Sequence, residues 1–376
     1  MIGVVICSDF ADQSLLGLSL SRRSVLALQA AGASEILLIG PSAQLFEDER
    51  LRVPMRVAER WPMGDTLVVA DGVAINPATL HAMTQGDGEQ RMHEGLELLC
   101  ARTQRSANSL SEIGLGAAVT PAGVALFARS KSEVDRAQNA LLASLRKRQD
   151  GWVSRTINRR LSLAITRSLT QSTIRPNQLS AAIMVLGASS GIFAALGGPL
   201  GLALGGVLFQ AQSVLDGCDG ELSRLTFRGS RAGEWLDTVG DDLTNYSFFA
   251  GASLGLRALG APAWVWVAGL VGVLVGVVAS LIEYRYLVSI GSGDLLKYPL
   301  GFGEDPDRPA DPSIVQKILG AFRPMFKRDF FALATMFAAL VGPGALGGAL
   351  VLFAAGATAT LTAVLASEIR RARTTA

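Results

Sequence analysis

The chain has 376 residues, of which 49% are hydrophobic and only 18% are charged, and its mean hydropathy is +0.36. This composition excludes a disordered chain, a disulfide-rich miniprotein and a collagen-like repeat, and the length leaves room for about two domains. The net charge of +2 is the sum of segments with different charge. Residues 1–150 carry 15 basic and 17 acidic residues, whereas residues 143–176 carry eight basic residues and one acidic residue. We therefore predict a soluble domain over 1–145, a basic connector over 146–176 and a membrane domain over 177–376.

The first 145 residues alternate β-like apolar runs with helical stretches. Strands are predicted at 3–7, 35–39, 66–69 and 123–127, and helices at 20–31, 77–84 and 132–146. This alternation is typical of an α/β domain with a largely parallel sheet. The first residues have no basic n-region and no cleavage site, so no signal peptide is expected. Three cysteines without metal-ligand spacing indicate reduced thiols in the cytoplasm.

Two stretches of this domain, 21–40 and 65–80, resemble nucleotidyltransferases with a sugar-nucleotide-transferase-type fold. The resemblance would give Asp71 the position of a metal-binding aspartate. Such enzymes hold a triphosphate with a Gly-rich loop and a lysine, whereas residues 8–23 contain one Gly and no Lys. We therefore expect a degenerate, non-catalytic domain. The alternative is a surviving cytidylyltransferase or nucleotide-binding site, in which Arg22 or Arg23 would replace the lysine.

The connector contains a stretch, 152–172, in which apolar residues alternate with arginines. An amphipathic, Arg-rich helix before a first span is typical of a helix that lies in the headgroup plane of a membrane. The alternative is a soluble helix that packs on the first domain.

Six uncharged runs follow, at 179–196, 200–215, 243–256, 261–282, 330–342 and 345–367. A helix needs ~20 apolar residues to cross ~30 Å of hydrocarbon, so the sequence predicts an all-α polytopic bundle of six transmembrane helices. The basic residues fall mainly in alternate loops and at the C-terminal end, and they include Arg224, Arg228, Arg231, Lys297, Arg308, Lys317, Arg323, Lys327 and Arg328. The positive-inside rule places these loops and the soluble domain on the cytoplasmic side of the cell membrane.

Four aspartates lie near the ends of the second and third runs. Asp216 and Asp219 are three residues apart, and Asp237 and Asp241 are four apart, so each pair shares one helix face. A short loop makes the two helices antiparallel neighbours, and the four carboxylates can then converge in one polar cleft. Converging carboxylates repel one another unless cations neutralise them, and Mg²⁺ or Mn²⁺ with oxygen ligands would also bridge substrate phosphates.

Residues around the aspartates fit a nucleotide. Gly220 and Gly233 would let it approach the helices closely, and Arg224 can contact a phosphate or ribose. The alternative is a salt-bridged helix–loop–helix in which Arg224, Arg228 and Arg231 pair with the acids. That alternative does not explain why each pair of acids has one-face spacing at a membrane boundary.

The pattern resembles the signature of the CDP-alcohol phosphotransferase family, D-x-x-D-G-x-x-A-R, eight residues, G-x-x-x-D-x-x-x-D. The matching positions are Asp216, Asp219, Gly220, Ser223, Arg224, Gly233, Asp237 and Asp241. Ser223 stands where the family usually has Ala. The resemblance covers about 150–376, and residues 174–180 resemble the start of the family's first span, where Pro176 and Asn177 lie near the nucleotide.

The resemblance implies a two-metal displacement on phosphorus in which an acceptor hydroxyl attacks a CDP-linked alcohol and CMP leaves. It makes Asp216, Asp219 and Asp237 metal ligands and Asp241 a metal ligand or the general base. The residues implied to line the CDP site are Pro176, Asn177, Gly220, Ser223, Arg224 and Gly233. The basic side chains of Arg155, Arg159 and Arg231 would bind an acceptor phosphate or, equally, lipid headgroups.

The order of the two domains is similar to that of the bifunctional di-myo-inositol-phosphate phosphate synthases, whose first domain makes CDP-inositol and whose second consumes it. The product would be a phospholipid or an inositol or polyol phosphodiester. The expected partners are a CDP-alcohol donor, an alcohol acceptor and the bilayer, without nucleic acid, and by family analogy a second copy in a homodimer. The alternatives of another class are a transporter, which should show internal repeats, and a non-catalytic membrane anchor.

Overall fold

The computed structural model describes residues 1–60, 63–86, 88–104, 117–118, 123–147, 150–299 and 328–375. The chain divides into two compact units. The first comprises Met1–Arg148, Arg167–Thr173 and Arg224–Arg228, and the second comprises Gln149–Thr166, Ile174–Ser223 and Gly229–Ala376.

The first unit is an α/β fold. Its strands are β1 Ile2–Ile6, β2 Ser14–Leu15, β3 Leu18–Ser19, β4 Glu35–Ile39, β5 Met55–Val57, β6 Thr66–Val69, β7 Val73–Ile75, β8 Gln90–Glu94, β9 Glu97–Thr103, β10 Ala117–Ala118 and β11 Ala125–Phe127. Its helices are α1 Leu20–Ala30, α2 Pro77–Gln85 and α3 Lys131–Ser144. Seven strands form one sheet in the order β10-β8-β9-β6-β1-β4-β5. Central residues such as Val4, Leu37 and Val68 are buried, as expected for strands covered on both faces.

The sheet is mixed, and the expectation of a largely parallel sheet holds only in part. Strands β1, β4, β5 and β6 are parallel, and β10 is parallel to β8, but β9 runs antiparallel to both β6 and β8. Glu94 pairs with Glu97, so only Gly95 and Leu96 connect β8 to β9. Two residues can join antiparallel strands but cannot make the long crossover that a parallel pair needs. The predicted strand at 123–127 also leaves the main sheet, because β11 pairs with β7 alone.

The segment 224–228 belongs to this first unit. Arg50 donates from Nη1 to the carbonyl of Thr226 at 2.7 Å, and Arg228 pairs with Glu49 at 3.3 Å. Phe227 has a φ of +55°, and the Arg23 guanidinium lies 5.8 Å from its ring centroid. The turn after the D-x-x-D-G motif is therefore anchored to α/β residues.

The second unit is helical. It begins with a π-helical turn at Ser154–Asn158 and contains α4 Arg159–Leu169, α5 Pro176–Ala195, α6 Gly198–Thr226, α7 Arg231–Ala258, α8 Ala263–Ser289, α9 Arg328–Val341 and α10 Pro343–Thr375. The last residues of α4 and of α6 are those assigned to the first unit.

Four helices of the described residues are long and apolar enough to cross a membrane, and they are α5, α6, α8 and α10. Each of the six predicted runs coincides with part of one helix to within two residues, but α7 and α9 do not meet this standard. The first half of α7 carries four acids, Glu234, Asp237, Asp241 and Asp242. Helix α9 has 14 residues, or about 21 Å at 1.5 Å per residue. The count of six spans therefore stays a prediction, and Arg308, Lys317, Arg323 and Lys327 lie outside the described residues.

Helices α5 and α7 run side by side in the same direction with their backbones in contact. A Cβ added at Gly251 would lie 2.0 Å from the carbonyl oxygen of Gly191, and one added at Gly191 would lie 2.1 Å from that of Ser247. Only glycine permits so close an approach. The contact holds α5 against α7 in the later turns of both helices, beyond the first turns where the candidate site lies.

Candidate functional site

Asp216 of α6 and Asp241 of α7 meet at one guanidinium. Arg328, the first residue of α9, places Nη1 3.2 Å from Asp216 Oδ2 and 2.6 Å from Asp241 Oδ1. Its Nη2 donates to Gln212 Oε1, one turn before Asp216, at 2.7 Å. Two of the four predicted carboxylates therefore converge, with Arg328 as their counter-ion.

Asp219 is held from the other side by α5. It is buried, and it accepts hydrogen bonds from Ser180 Oγ and, at 2.6 Å, from the backbone N–H of Gly220. Ser180 Oγ also lies 3.1 Å from the carbonyl oxygen of Pro176, one turn earlier. The start of α5 therefore fixes the orientation of a predicted metal ligand.

Three of the residues predicted to bind CDP lie close together. Ser230 caps α7 by accepting from the Gly233 N–H at 3.0 Å, and it donates to Asn177 Oδ1 at 3.3 Å. A Cβ added at Gly233 would lie 3.0 Å from Asn177 Oδ1. Gly233 therefore leaves room for the Asn177 amide, which follows Pro176 at the first turn of α5.

The remaining predicted residues are less enclosed. Asp237 is exposed one turn before Asp241, and Gly220 and Ser223 are half-buried on α6. Arg224 is exposed near the end of α6 and belongs to the first compact unit, and Arg231 is exposed at the first residue of α7.

The donor set suits a hard divalent cation, since it consists of carboxylate oxygens. Asp241 Oδ1 is buried, and its described contact is the ion pair with Arg328 at 2.6 Å. Within the described ranges, no three Asp, Glu, His or Cys side chains lie close enough together to hold a metal ion. The residue chemistry fits a metal, whereas the assembled geometry is that of an ion-paired cluster.

A polar cavity of about 340 Å³ adjoins Asp216. Its lining residues are Asp150, Gly151, Ser154, Asn158, Arg159, Ser162, Ser213, Val214, Asp216, Gly217, Arg328 and Asp329. Of the three arginines predicted to bind an acceptor, Arg159 lines this cavity, while Arg155 and Arg231 are exposed elsewhere. The Arg159 guanidinium pairs with Asp150 at 3.0 Å and with Glu221 at 2.6 Å, so its charge is already balanced.

The corresponding positions of the first unit do not form a triphosphate cradle. Arg23 is 1% exposed and donates to the carbonyl of Leu15 at 3.1 Å, and burial lowers its pKa to about 10. Asp71 Oδ2 accepts from the backbone N–H of Phe10 at 3.2 Å. Arg22 lies over the Phe46 ring at 4.9 Å. Arg23 in particular is buried in the core.

Sequence reasoning missed three residues of this region, namely Arg328, Ser180 and Glu221. Arg328 was counted only as a loop charge, although it lies directly before an apolar run. Ser180 was noted in the first-span pattern without a role. Glu221 lies inside the motif, and a third acid in the largely apolar helix α6 signals a buried partner.

Comparisons with known proteins identify a family model and several relatives. Residues 173–303 match the family model described as CDP-alcohol phosphatidyltransferase. A bifunctional IPC transferase and DIPP synthase of Thermococcus kodakarensis is 35% identical over 155 residues, which is 41% of this chain and 34% of that protein. The namesake of Archaeoglobus fulgidus is 35% identical over 122 residues, 32% of this chain and 24% of that protein. The alignments therefore span about a third or less of these relatives' length.

Among solved structures, the chain is similar to Mycobacterium tuberculosis phosphatidylinositol phosphate synthase with CDP-DAG bound, at 18% identity and a TM-score of 0.41 over 55% of this chain and 93% of that one. The same synthase in complex with manganese and citrate matches at 18% identity and a TM-score of 0.40, over 55% of this chain and 88% of that one. Scores this low do not define the arrangement of the helices. The family match and the motif coincide on α5 to α8, so residues 173–303 of the chain are similar to the CDP-alcohol phosphatidyltransferase family.

Proposed function

We propose that the chain is an integral membrane CDP-alcohol phosphotransferase, which transfers a substituted phosphoryl group from a CDP-linked alcohol to an acceptor hydroxyl and releases CMP. The observation that carries this proposal is the meeting of Asp216 and Asp241, from two neighbouring helices, at the Arg328 guanidinium. Asp219 lies near the end of α6, and the Asn177–Gly233 contact joins the starts of α5 and α7. The family match supports the same reaction.

In the proposed reaction, Asp241 accepts the proton of the acceptor hydroxyl. The acceptor oxygen then forms a bond to the phosphorus remote from cytidine, and the bond to the CMP oxygen breaks, so CMP leaves with the electron pair. Asp216, Asp219 and Asp237, with Asp241 as a further ligand, would hold Mg²⁺ or Mn²⁺, most simply two ions. Bound divalent ions would supply charge neutralisation at the pyrophosphate.

We assign the CDP site to the starts of α5 and α7 and the end of the motif. Pro176, Asn177 and Gly233 would contact the cytidine end, and Gly220, Ser223 and Arg224 the diphosphate. The 340 Å³ cavity beside Asp216 would take the acceptor alcohol, with Arg159 in its wall and Arg155 and Arg231 toward lipid headgroups.

The four candidate spans support a membrane protein. We further propose six spans. Helices α7 and α9 would also cross the membrane, with their polar parts facing the inside of the bundle. The active site would lie on the cytoplasmic side of the cell membrane. The homodimer expected by family analogy stays a prediction.

The test uses the full chain in nanodiscs with Mg²⁺ or Mn²⁺ and a mixed panel of CDP-diacylglycerol, CDP-polyols and candidate alcohols. Mass spectrometry should detect CMP together with one phosphodiester product, and the mass of this product identifies both the donor and the acceptor. Failure of every pair, together with metal-independent nucleotide binding, would contradict the proposal.

A matched pair of variants tests the assigned base. Asp241→Asn should abolish CMP release, whereas Asp242→Asn should retain most of it. Asp242 is the neighbouring carboxylate, but it accepts a hydrogen bond from Tyr284 at 2.6 Å, and an amide oxygen can still accept that bond. Full activity of Asp241→Asn would show that the mechanism is wrong.

Two other functions give distinct outcomes in the same preparation. A bifunctional enzyme would also make a CDP-alcohol from CTP and a phosphorylated alcohol, with release of pyrophosphate, and would lose this step in Asp71→Asn. The buried Arg23 argues against it. A transporter or membrane anchor would release no CMP, and its nucleotide binding would not depend on a metal.

A further inference from the structure

Glu221 is a buried carboxylate inside the motif, and connector residues satisfy its hydrogen bonds. Its side chain is 0% exposed. Oε1 accepts from Arg159 Nη1 at 2.6 Å and from Ser162 Oγ at 2.7 Å, and Oε2 accepts from Thr166 Oγ1 at 2.7 Å. A buried charge is tolerated only when it is paired and hydrogen-bonded in this way.

The three donors form one face of α4, because Arg159, Ser162 and Thr166 are spaced three and four residues apart. Arg159 is itself held by Asp150 at 3.0 Å. The two helices approach closely at Gly217, where an added Cβ would lie 2.7 Å from Arg159 Nη1. The polar face of the connector helix is therefore bound to α6 at the motif.

Glu221 projects from the face of α6 opposite to the two metal-ligand positions. At 100° per residue, it lies about 140° around the helix from Asp216 and about 160° from Asp219. A contact on that side determines the rotation of α6 about its axis. The rotation in turn determines where the two aspartates point.

We propose that Glu221 is a positioning residue, which α4 holds so that Asp216 and Asp219 face the α7 acids and Arg328. The inference rests on the proposed function where it is tested by metal binding. Where it is tested by cysteine labelling, it rests on geometry alone. It gives Arg159 a role in orienting the motif, instead of a direct contact with an acceptor.

The first readout is Mn²⁺ binding, measured by electron paramagnetic resonance on the full chain in nanodiscs without substrate. Glu221→Gln leaves a carboxylate-sized group but removes the charge, and Thr166→Val removes one donor with little change in shape. Because residues that orient metal ligands typically affect affinity by about 10–100-fold, Glu221→Gln should weaken Mn²⁺ binding about tenfold or more, and Thr166→Val by less. Ser190→Ala is the control, since it removes a buried hydroxyl that bonds to the carbonyl of Gly187 on α5.

The second readout does not involve a metal. In a chain with its native cysteines replaced by serine, Asp216→Cys is labelled from the cavity by a water-soluble maleimide. Adding Glu221→Gln should change the labelling rate several-fold, whereas adding Ser190→Ala should not. Unchanged labelling and unchanged Mn²⁺ affinity in a folded Glu221→Gln chain would overturn the proposal. If the wild-type chain binds no Mn²⁺, the metal part of the proposed function fails, and the labelling experiment still decides whether Glu221 positions α6.

Discussion

Ser180 donates to the Asp219 carboxylate across the contact between α5 and α6. The two residues are 39 positions apart and both are buried. A serine in the opening turns of the first span thus orients a carboxylate of the signature motif. The D-x-x-D-G motif therefore depends on a residue outside its own helix.

Ser180→Ala should lower CMP release without unfolding the chain. The substitution removes the Ser180 hydroxyl as a donor to Asp219, and a lost hydrogen bond to a charged group typically costs about 1.5–3 kcal/mol. We expect kcat/KM to fall about tenfold or more, and Ser180→Thr, which keeps the hydroxyl, to recover most of it. Equal activities of the Ala and Thr variants would show that the hydroxyl is not required.

Arg328→Met should strengthen metal binding while it weakens the metal-free protein. Asp216 and Asp241 would lose their shared counter-ion, so their carboxylates repel unless a cation replaces it. We expect saturation at lower Mn²⁺ concentration and, in a chelator, a thermal midpoint lowered by the equivalent of about 1–3 kcal/mol. Arg328→Lys keeps the charge and serves as the comparison. Weaker Mn²⁺ binding by Arg328→Met would contradict this role.

Gly251→Ala should disrupt the packing of α5 on α7, because the added methyl group would lie 2.0 Å from the carbonyl oxygen of Gly191. Overpacking of this kind typically costs about 1–3 kcal/mol, so the thermal midpoint and the yield of monodisperse protein should both fall. Gly356→Ala is the matched control, since no neighbouring atom in the described structure lies within 4 Å of an added Cβ there. Equal midpoints for the two variants would refute the close contact.

Cys7 and Cys100 should resist alkylation in the native protein. Both are buried, and burial is the main cause that raises the pKa of each thiol to about 12. At neutral pH such a thiol holds roughly a thousandfold less thiolate than one with a pKa of about 8.5. After treatment with iodoacetamide at pH 7.5, peptide mass spectrometry should find both cysteines unmodified. They should react only after a denaturing detergent has unfolded the protein. Rapid native labelling of either residue would contradict its placement in the core.

Local pattern predicted helices α1 to α3 and four of the eleven described strands, but it missed the other strands and the strand order. Strands β4 and β6 occupy the predicted residues, and α2 differs by one, because their apolar runs and the Asn76 cap act over a few residues. The hairpin of β8 and β9 was missed because its strands mix polar and apolar side chains, and its Gly95-Leu96 turn was not recognised. Strand order depends on contacts between distant residues, which periodicity does not record.

For the candidate site as well, the sequence indicated what local spacing determines but not the contacts between distant residues. Helix spacing alone indicated that Asp216 and Asp241 could approach, and the structure brings them together. The partners that orient the acids come from other helices, so no spacing within the motif could identify them. Ser180 lies on α5, Arg328 on α9, and the donors to Glu221 on α4.

The backbone contact between α5 and α7 also limits how a substrate can reach the site. Where the carbonyl of Gly191 touches Gly251, not even a methyl group fits between the helices, and an acyl chain is wider than a methyl group. At this level, therefore, no acyl chain can pass between α5 and α7, and a lipid-linked donor would have to keep its chains outside this pair. A water-soluble donor meets no such restriction.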